Sequence, residues 1–213
     1  MAAPRIAIVD YGMGNRRSVE KALEHVGATV SITRDPAELR AADGLLLPGV
    51  GAFPAAMRTL RELELEDVLL ECARGGLPFF GSCMGMQLLF ESSDEHEGAT
   101  GLGLLRGPVR RLDAGDLKLP HIGWSEVRWR PPAHESPLLD GLPDPSTFYH
   151  VHSYAPQPAD PADVLGVSDY GVEFASVVAR GNVFGAQFHP EKSSTHGLTL
   201  LRNFARLCAR VAA

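Results

Sequence analysis

The sequence predicts an α/β fold: one open, mainly parallel sheet flanked by helices, with antiparallel strands in the C-terminal half. Three observations carry this. Short apolar runs alternate with helix-period segments over roughly the first 90 residues, the pattern of successive βαβ units. Beyond residue 100 the runs become strand-like and are separated by Pro/Gly-rich turns. The length of 213 residues falls within the range of one domain. A chain of that size buries roughly 70% of its unfolded surface, so its core needs no disulfide or metal.

In order, RIAIVD (5–10) predicts a buried strand. After the loop YGMGN, Val19, Ala22, Leu23 and Val26 stand at i, i+3, i+4 and i+7, which predicts a helix. TVSIT is a second strand, PAELRAA a short helix with proline in its first turn, and DGLLLPG a third strand. PAAMRTLRELELEDVLLECARGG (54–76) reads as one long amphipathic helix closed by glycines. LPFFG is a fourth strand, and CMGMQLLFESS (83–93) reads as helical. GLLRGPVRRL, HIGWSEVRW, TFYHVHSYAP, DVLGVSDY and FASVVARGNVFGAQFHP then predict strands, with ARGN as a hairpin tip. Leu200, Phe204, Leu207 and Val211 predict a closing helix over 194–212. The prolines of 131–161 are interleaved with strand patterns, so that stretch is not a linker.

Composition narrows the function classes. Hydrophobic residues make up 45% and charged residues 22%, ordinary values for a globular protein. The formal charge of −6, with no Lys/Arg block, argues against a nucleic-acid partner. Three widely spaced cysteines (Cys72, Cys83, Cys208) are no disulfide framework and suggest a reducing compartment. The N-terminal residues lack the apolar stretch of a signal peptide, and no run approaches the ~18 residues of a membrane span. A cytoplasmic location without membrane contact is the expectation.

Cys83 carries the chemical interest. Gly81-Ser82-Cys83-Met84-Gly85 lies where a strand passes into a helix, at the carboxyl end at which open α/β sheets bind ligands. G-x-C-x-G has the spacing of the nucleophile elbow. The sharp turn should bring the two glycines close together, where only the smallest side chains fit. Free N–H groups and the dipole at the start of the following helix favour a thiolate, and the Met84 amide can face an oxyanion. The alternative is an inert, buried structural cysteine, which is the preferred reading for Cys72 and Cys208.

A nucleophilic thiol needs a base, and the base needs an orienting group. His25, His96 and His134 stand in polar contexts and are expected to be solvated, and His121 stays open. His150 and His152 alternate as H-x-H, but no third metal ligand follows them clearly. His189 ends an apolar strand in QFHPEKSS, with Glu191 one proline later, so imidazole and carboxylate can be held on one side of the loop. Taken alone, His189 can be a strand-end cap and Glu191 a solvated carboxylate. The third loop, Pro48-Gly49-Val50-Gly51, lets backbone amides approach a ligand closely, although a plain glycine-rich turn has the same composition.

P-G-V-G-A-F, then G-S-C-M-G-M-Q, then F-H-P-E, in that order, resemble the class-I, triad-type glutamine amidotransferases. DYGMGNRRSVEKAL, LPHIGWSEV, FYHVHSYAP and HPEKSSTHGLTLLRNF narrow the resemblance to the glutaminase subunits of imidazole glycerol phosphate synthases, from residue 5 to about 206. The resemblance implies a flavodoxin-like, single glutamine amidotransferase domain over 1–213 that uses no cofactor and no metal. It implies a triad of Cys83, His189 and Glu191, with the oxyanion between the backbone of Met84 and of Gly49–Val50. Gly51, Gln87 and Glu95 would hold glutamine, covered by backbone at Ser153 and Tyr154. Ammonia would pass to a (β/α)8-barrel cyclase subunit in a heterodimer, with Asn15, Tyr149 and Lys192 at the interface. Ser82 and Met84 depart from the family's usual aliphatic elbow residues. Glutaminases of other synthases typically carry different elbows, and cysteine-elbow peptidases commonly place histidine directly after the cysteine, where this chain has Met84.

Overall fold

The computed structural model describes residues 3–131 and 135–211, so His134 lies outside the described residues. β1 (Arg5–Val9) leads through YGMGN into α1 (Arg16–His25), where the Asn15 side chain accepts from the Ser18 amide and caps the first turn. The helix-period residues Val19, Ala22 and Leu23 are its buried ones. β2 (Thr29–Thr33) is only half buried, and α2 (Pro36–Ala41) follows, capped by Asp35. β3 (Gly44–Gly49) is buried at every position, as a strand covered on both faces must be.

The segment 54–76 is not one helix. It forms α3 (Phe53–Glu62) and α4 (Leu65–Arg74), broken at Glu64, which adopts the left-handed conformation at φ 55°. The apolar spacing slips by one residue there, from Leu60 to Leu65, and the break returns both halves to the core.

The segment 83–93 is also shorter as a helix than expected. After β4 (Phe79–Cys83), α5 covers only Met84–Leu88, and β5 (Ser92–Ser93) follows. The amides of Leu102, Gly103 and Leu104 take the carbonyls of Leu88, Phe90 and Leu89 at 2.8–3.1 Å. Those are the terminal carbonyls that a longer helix would have used itself.

The second half supplies β6 (Ala99–Thr100), β7 (Pro108–Arg111), β8 (His121–Trp129), β9 (Ser146–His152) and β10 (Tyr154–Pro156). β11 (Val164–Asp169), β12 (Glu173–Arg180) and β13 (Val183–Ala186) follow, then α6 (Ser194–Val211). The hairpin expected at ARGN joins β12 to β13, with Gly181 at φ 59°. Nine strands form one sheet in the order β2-β1-β3-β4-β13-β12-β11-β8-β9, parallel as far as β13 and antiparallel beyond it. A smaller sheet runs β10-β7-β5-β6.

Adjacent residues of a strand face opposite sides, and β4 feeds both layers of the core. Phe79 joins Leu47, Leu60 and Leu69 on the α3/α4 side. Phe80 joins Ile8, Leu23 and Phe204 on the α1/α6 side, its ring 5.3 Å from that of Phe204. This packing holds the carboxyl ends of β3, β4 and β13 side by side. In register, Gly49 lies opposite Cys83, and Ala186 opposite Ser82.

Candidate active site

The turn between β4 and α5 is strained at one residue. Cys83 has φ 53° and ψ −113°, a conformation that a side chain bearing Cβ rarely adopts. Both flanking glycines are sterically required: the expected close approach of the two holds for Gly81, while Gly85 meets a different neighbour. A Cβ on Gly81 would stand 2.5 Å from the Gly85 carbonyl oxygen, whereas one on Gly85 would stand 1.8 Å from the Leu47 carbonyl oxygen. The second glycine therefore seats α5 on the neighbouring strand β3 rather than on Gly81. With only five residues, α5 also has little aligned dipole to offer the thiol, and the charge of a nearby side chain matters more.

That side chain is His189. The chain runs from β13 through Gln187 and Phe188 to His189, whose amide donates to the Tyr149 carbonyl at 3.0 Å while its own carbonyl accepts from Ser193 Oγ at 2.6 Å. The ring is thus held from both sides of the backbone. Its Nδ1 lies 3.1 Å from Glu191 Oε1, and both side chains are nearly buried, at 8% and 2% exposure. Nδ1–H donates to the carboxylate, which leaves Nε2 for Cys83. Burial opposes charge on this ring, but the hydrogen bonds and negative charges of Cys83 and Glu191 outweigh it, and the His189 pKa is pushed up to about 10. The Cys83 sulfur also lies 3.6 Å from the Val151 carbonyl and 3.9 Å from Gln187 Nε2.

These groups open on a cavity of about 300 Å³, whose lining includes Val50, Gly51, Cys83, Gln87, Glu95 and His189. Met84, Ser153, Tyr154 and Lys192 also line it. Gln87 spends its amide hydrogens on the Tyr154 carbonyl (2.9 Å) and Gln187 Oε1 (3.1 Å), so its carbonyl oxygen is left for a ligand. Glu95 Oε2 accepts from the Phe53 amide at 2.7 Å, which ties the carboxylate to the start of α3. Gly49 lies just beneath, in register with Cys83. Asn15 and Tyr149 are outside the lining: Asn15 is exposed at the start of α1, and Tyr149 is half buried with its ring 5.9 Å from Trp124. A larger cavity of about 690 Å³, near Arg110, Arg130 and Phe174, contains none of the candidate residues.

Pro120, Val151 and His152, which line the cavity, and Gln187, which is buried behind it against Cys83, were assigned no site role from the sequence. Gln187 stands two residues before His189, and strand alternation would have put it on the same side. His152 lines the cavity, and its neighbour His150 is buried beside it. His152 Nδ1 lies 3.0 Å from the Tyr154 carbonyl, and its Nε2 lies 3.4 Å from His121. Burial, reinforced by neighbouring histidines, lowers the pKa of His150 and takes that of His152 down to about 3, and burial alone lowers that of His121. Among the described residues, no group of three or more His, Cys, Asp or Glu is placed to hold a metal ion. Cys72 and Cys208 are buried on helices away from the cavity, and burial raises both thiols, Cys208 to about 12.

The family model for glutamine amidotransferase class-I matches residues 7–208. The chain is 53% identical over 199 residues to the imidazole glycerol phosphate synthase subunit HisH of Bacillus cereus (strain G9842), covering 93% of each chain. It is 50% identical over 202 residues to the HisH subunit of Moorella thermoacetica, covering 95% of this chain and 94% of the relative. Among solved structures, PurLQS from Thermotoga maritima has the same fold with TM-score 0.74 at 20% identity, covering 99% of this chain and 100% of that one. A model match over nearly the whole length, with relatives half identical, means that this chain belongs to the class-I glutamine amidotransferases, in the branch of the imidazole glycerol phosphate synthase HisH subunits.

Proposed function

We propose that the chain acts as one domain, the glutaminase subunit of imidazole glycerol phosphate synthase in histidine biosynthesis, and that Cys83, His189 and Glu191 perform its chemistry. The observation that carries the residue assignment is the strained Cys83 turn facing a buried His189–Glu191 pair across one cavity. The relatives' names support the activity and a partner subunit.

The geometry supports the following course. Glutamine lies in the cavity with its polar end toward Glu95 and Gln87 and its side-chain amide at Cys83. The sulfur attacks the amide carbon, and the negative charge that develops on oxygen meets the backbone amides of Met84 and Gly49–Val50. His189, protonated at Nε2 and steadied at Nδ1 by Glu191, gives a proton to the departing ammonia. Water, deprotonated by the same ring, then releases glutamate from the thioester. Ammonia passes to a cyclase subunit of (β/α)8-barrel type, where imidazole glycerol phosphate and aminoimidazole carboxamide ribotide form. Ile122 and Trp124 on β8, 61% and 54% exposed, and Val50 in the cavity lining, 46% exposed, are apolar side chains that we assign to contact with that subunit. Asn15, Tyr149 and Lys192 are our further interface residues. A cytoplasmic site of action fits three free cysteines and a set of described residues without a helix long and apolar enough to cross a membrane.

The test is substrate choice. Purified with its partner subunit, the chain should release glutamate from glutamine and leave a model ester and a peptide intact, and Cys83→Ala should abolish the release. Peptide or ester turnover exceeding that of glutamine would sink the assignment.

A further inference from the structure

The loop that leaves β1 passes directly beneath the candidate oxyanion strand. Register between β1 and β3 ends at Leu46, so β3 continues to Pro48 and Gly49 with strand register only to β4, on its other side. On the open side the Tyr11 hydroxyl donates to the Pro48 carbonyl at 2.7 Å. The ring is 1% exposed, and the contact is tight. A Cβ on Gly49 would stand 2.6 Å from the Tyr11 hydroxyl and 2.7 Å from Met84 Cβ, so the Gly49 backbone is clasped between the tyrosine and the residue after the nucleophile. Gly14 completes the clasp: a Cβ there would lie 3.2 Å from Pro48 Cβ and 3.4 Å from the Gly49 nitrogen.

We propose that Tyr11 is a positioning residue of the glutaminase reaction, its hydroxyl holding the Pro48–Gly49 peptide so that the Gly49–Val50 amides, once the partner subunit is docked, aim at the oxyanion formed on Cys83. The proposal rests on our assignment of those amides as oxyanion donors. Proline has no N–H, and the peptide it begins can rotate at Gly49, which lacks a side chain to resist. The Pro48 carbonyl is the handle by which that peptide can be fixed. Burial, with the negative charge of Cys83 adding to it, raises the Tyr11 pKa, so the phenol stays a donor across the working range. Tyr11 does not touch substrate; it acts through the backbone. Misplacing a reacting group by about 1 Å costs on the order of 10²-fold in rate.

The test compares Tyr11→Phe with wild type, both assembled with the partner subunit. Phenylalanine fills the same space and removes only the hydroxyl. We expect kcat for glutamate release to fall roughly 10²-fold, as for a misplaced oxyanion donor, with KM for glutamine within about twofold. The aldehyde analogue of glutamine, which forms a tetrahedral adduct on Cys83, should lose affinity by the same factor as kcat. Iodoacetamide, which alkylates sulfur without forming an oxyanion, should react at the wild-type rate, and this also reports an intact fold around Cys83. A merely structural tyrosine would move both reagents or neither. Val50→Pro, which removes one of the assigned amides, separates the two claims. If Val50→Pro loses aldehyde affinity while Tyr11→Phe keeps it, the role of Tyr11 is overturned and the oxyanion assignment stands. If neither variant loses affinity, both fall.

Discussion

Cys72, Cys83 and Cys208 are all buried, so burial does not separate the nucleophile candidate from the other two. Their neighbours do. Cys72 and Cys208 sit among helix-packing side chains that raise their pKa values, while Cys83 opens on the cavity beside His189. A chloroketone analogue of glutamine should therefore label Cys83 at least tenfold faster than either of the others, read by peptide mass spectrometry. Equal labelling would return Cys83 to the structural class. His189 yields a second residue-scale prediction. Its pKa is raised from 6.5 to about 10, so the protonated ring's contribution to stability is fully present below pH 6.5 and is lost as pH climbs through 10. Between pH 6.5 and 10 the wild-type urea midpoint should fall more than that of His189→Gln, which has no imidazole to titrate. Parallel curves would show that Cys83 and Glu191 together do not hold the proton on this ring.

At the scale of elements, the crossing of α5 over β3 is decided by Gly85. A methyl group at this position meets the Leu47 carbonyl oxygen at 1.8 Å, and a central strand cannot yield as a surface side chain would. Gly85→Ala should destabilise the fold by about 1–3 kcal/mol, the usual cost of overpacking, or more because the obstacle is backbone. It should also reduce glutamate release, because α5 carries the Met84 amide and Gln87. Thermal unfolding and the glutaminase assay, run on the same preparation, check both; a variant of wild-type stability would mean that the helix can move off β3. The break at Glu64 is a milder case of the same kind. It costs a left-handed residue, and it corrects a one-residue slip in the apolar spacing.

At the scale of the whole molecule, the YGMGN, PGVG and HPEK loops leave β1, β3 and β13, three parallel strands of one sheet with β4 between the last two, and Val50 and Lys192 stay exposed in the cavity lining, with Asn15 exposed on the loop after β1. A glutaminase that ran without its partner would waste glutamine, and the Gly49–Val50 peptide is the natural part to wait for docking. We expect weak glutamate release by the isolated chain and a rise of roughly 10²–10³-fold with the proposed cyclase subunit and its nucleotide ligand, the value of one oxyanion donor. Steady-state release with and without both measures it. Full activity in the isolated chain would show that the loop is already set.

By itself, the sequence determined the strand–helix alternation, the Cys83 turn, the strand-end His189 with Glu191, and the glycine-rich third loop. Each is a local pattern, written by side-chain periodicity or by the steric demands of a turn. Only the tertiary structure decided how long α5 could be, because the carbonyls that would extend it are taken by amides of residues 102–104. It likewise decided what Gly85 packs against, since the obstacle belongs to a strand nearly forty residues earlier in the chain. Gln187 was half legible, its side given by alternation and its contact with Cys83 given by the β4–β13 register. The buried His121–His152 contact and the Tyr11–Pro48 hydrogen bond were not legible at all. Spacing along a chain encodes which face a residue shows, but which distant backbone it meets there is set by sheet order and register, and those come from packing the whole core at once.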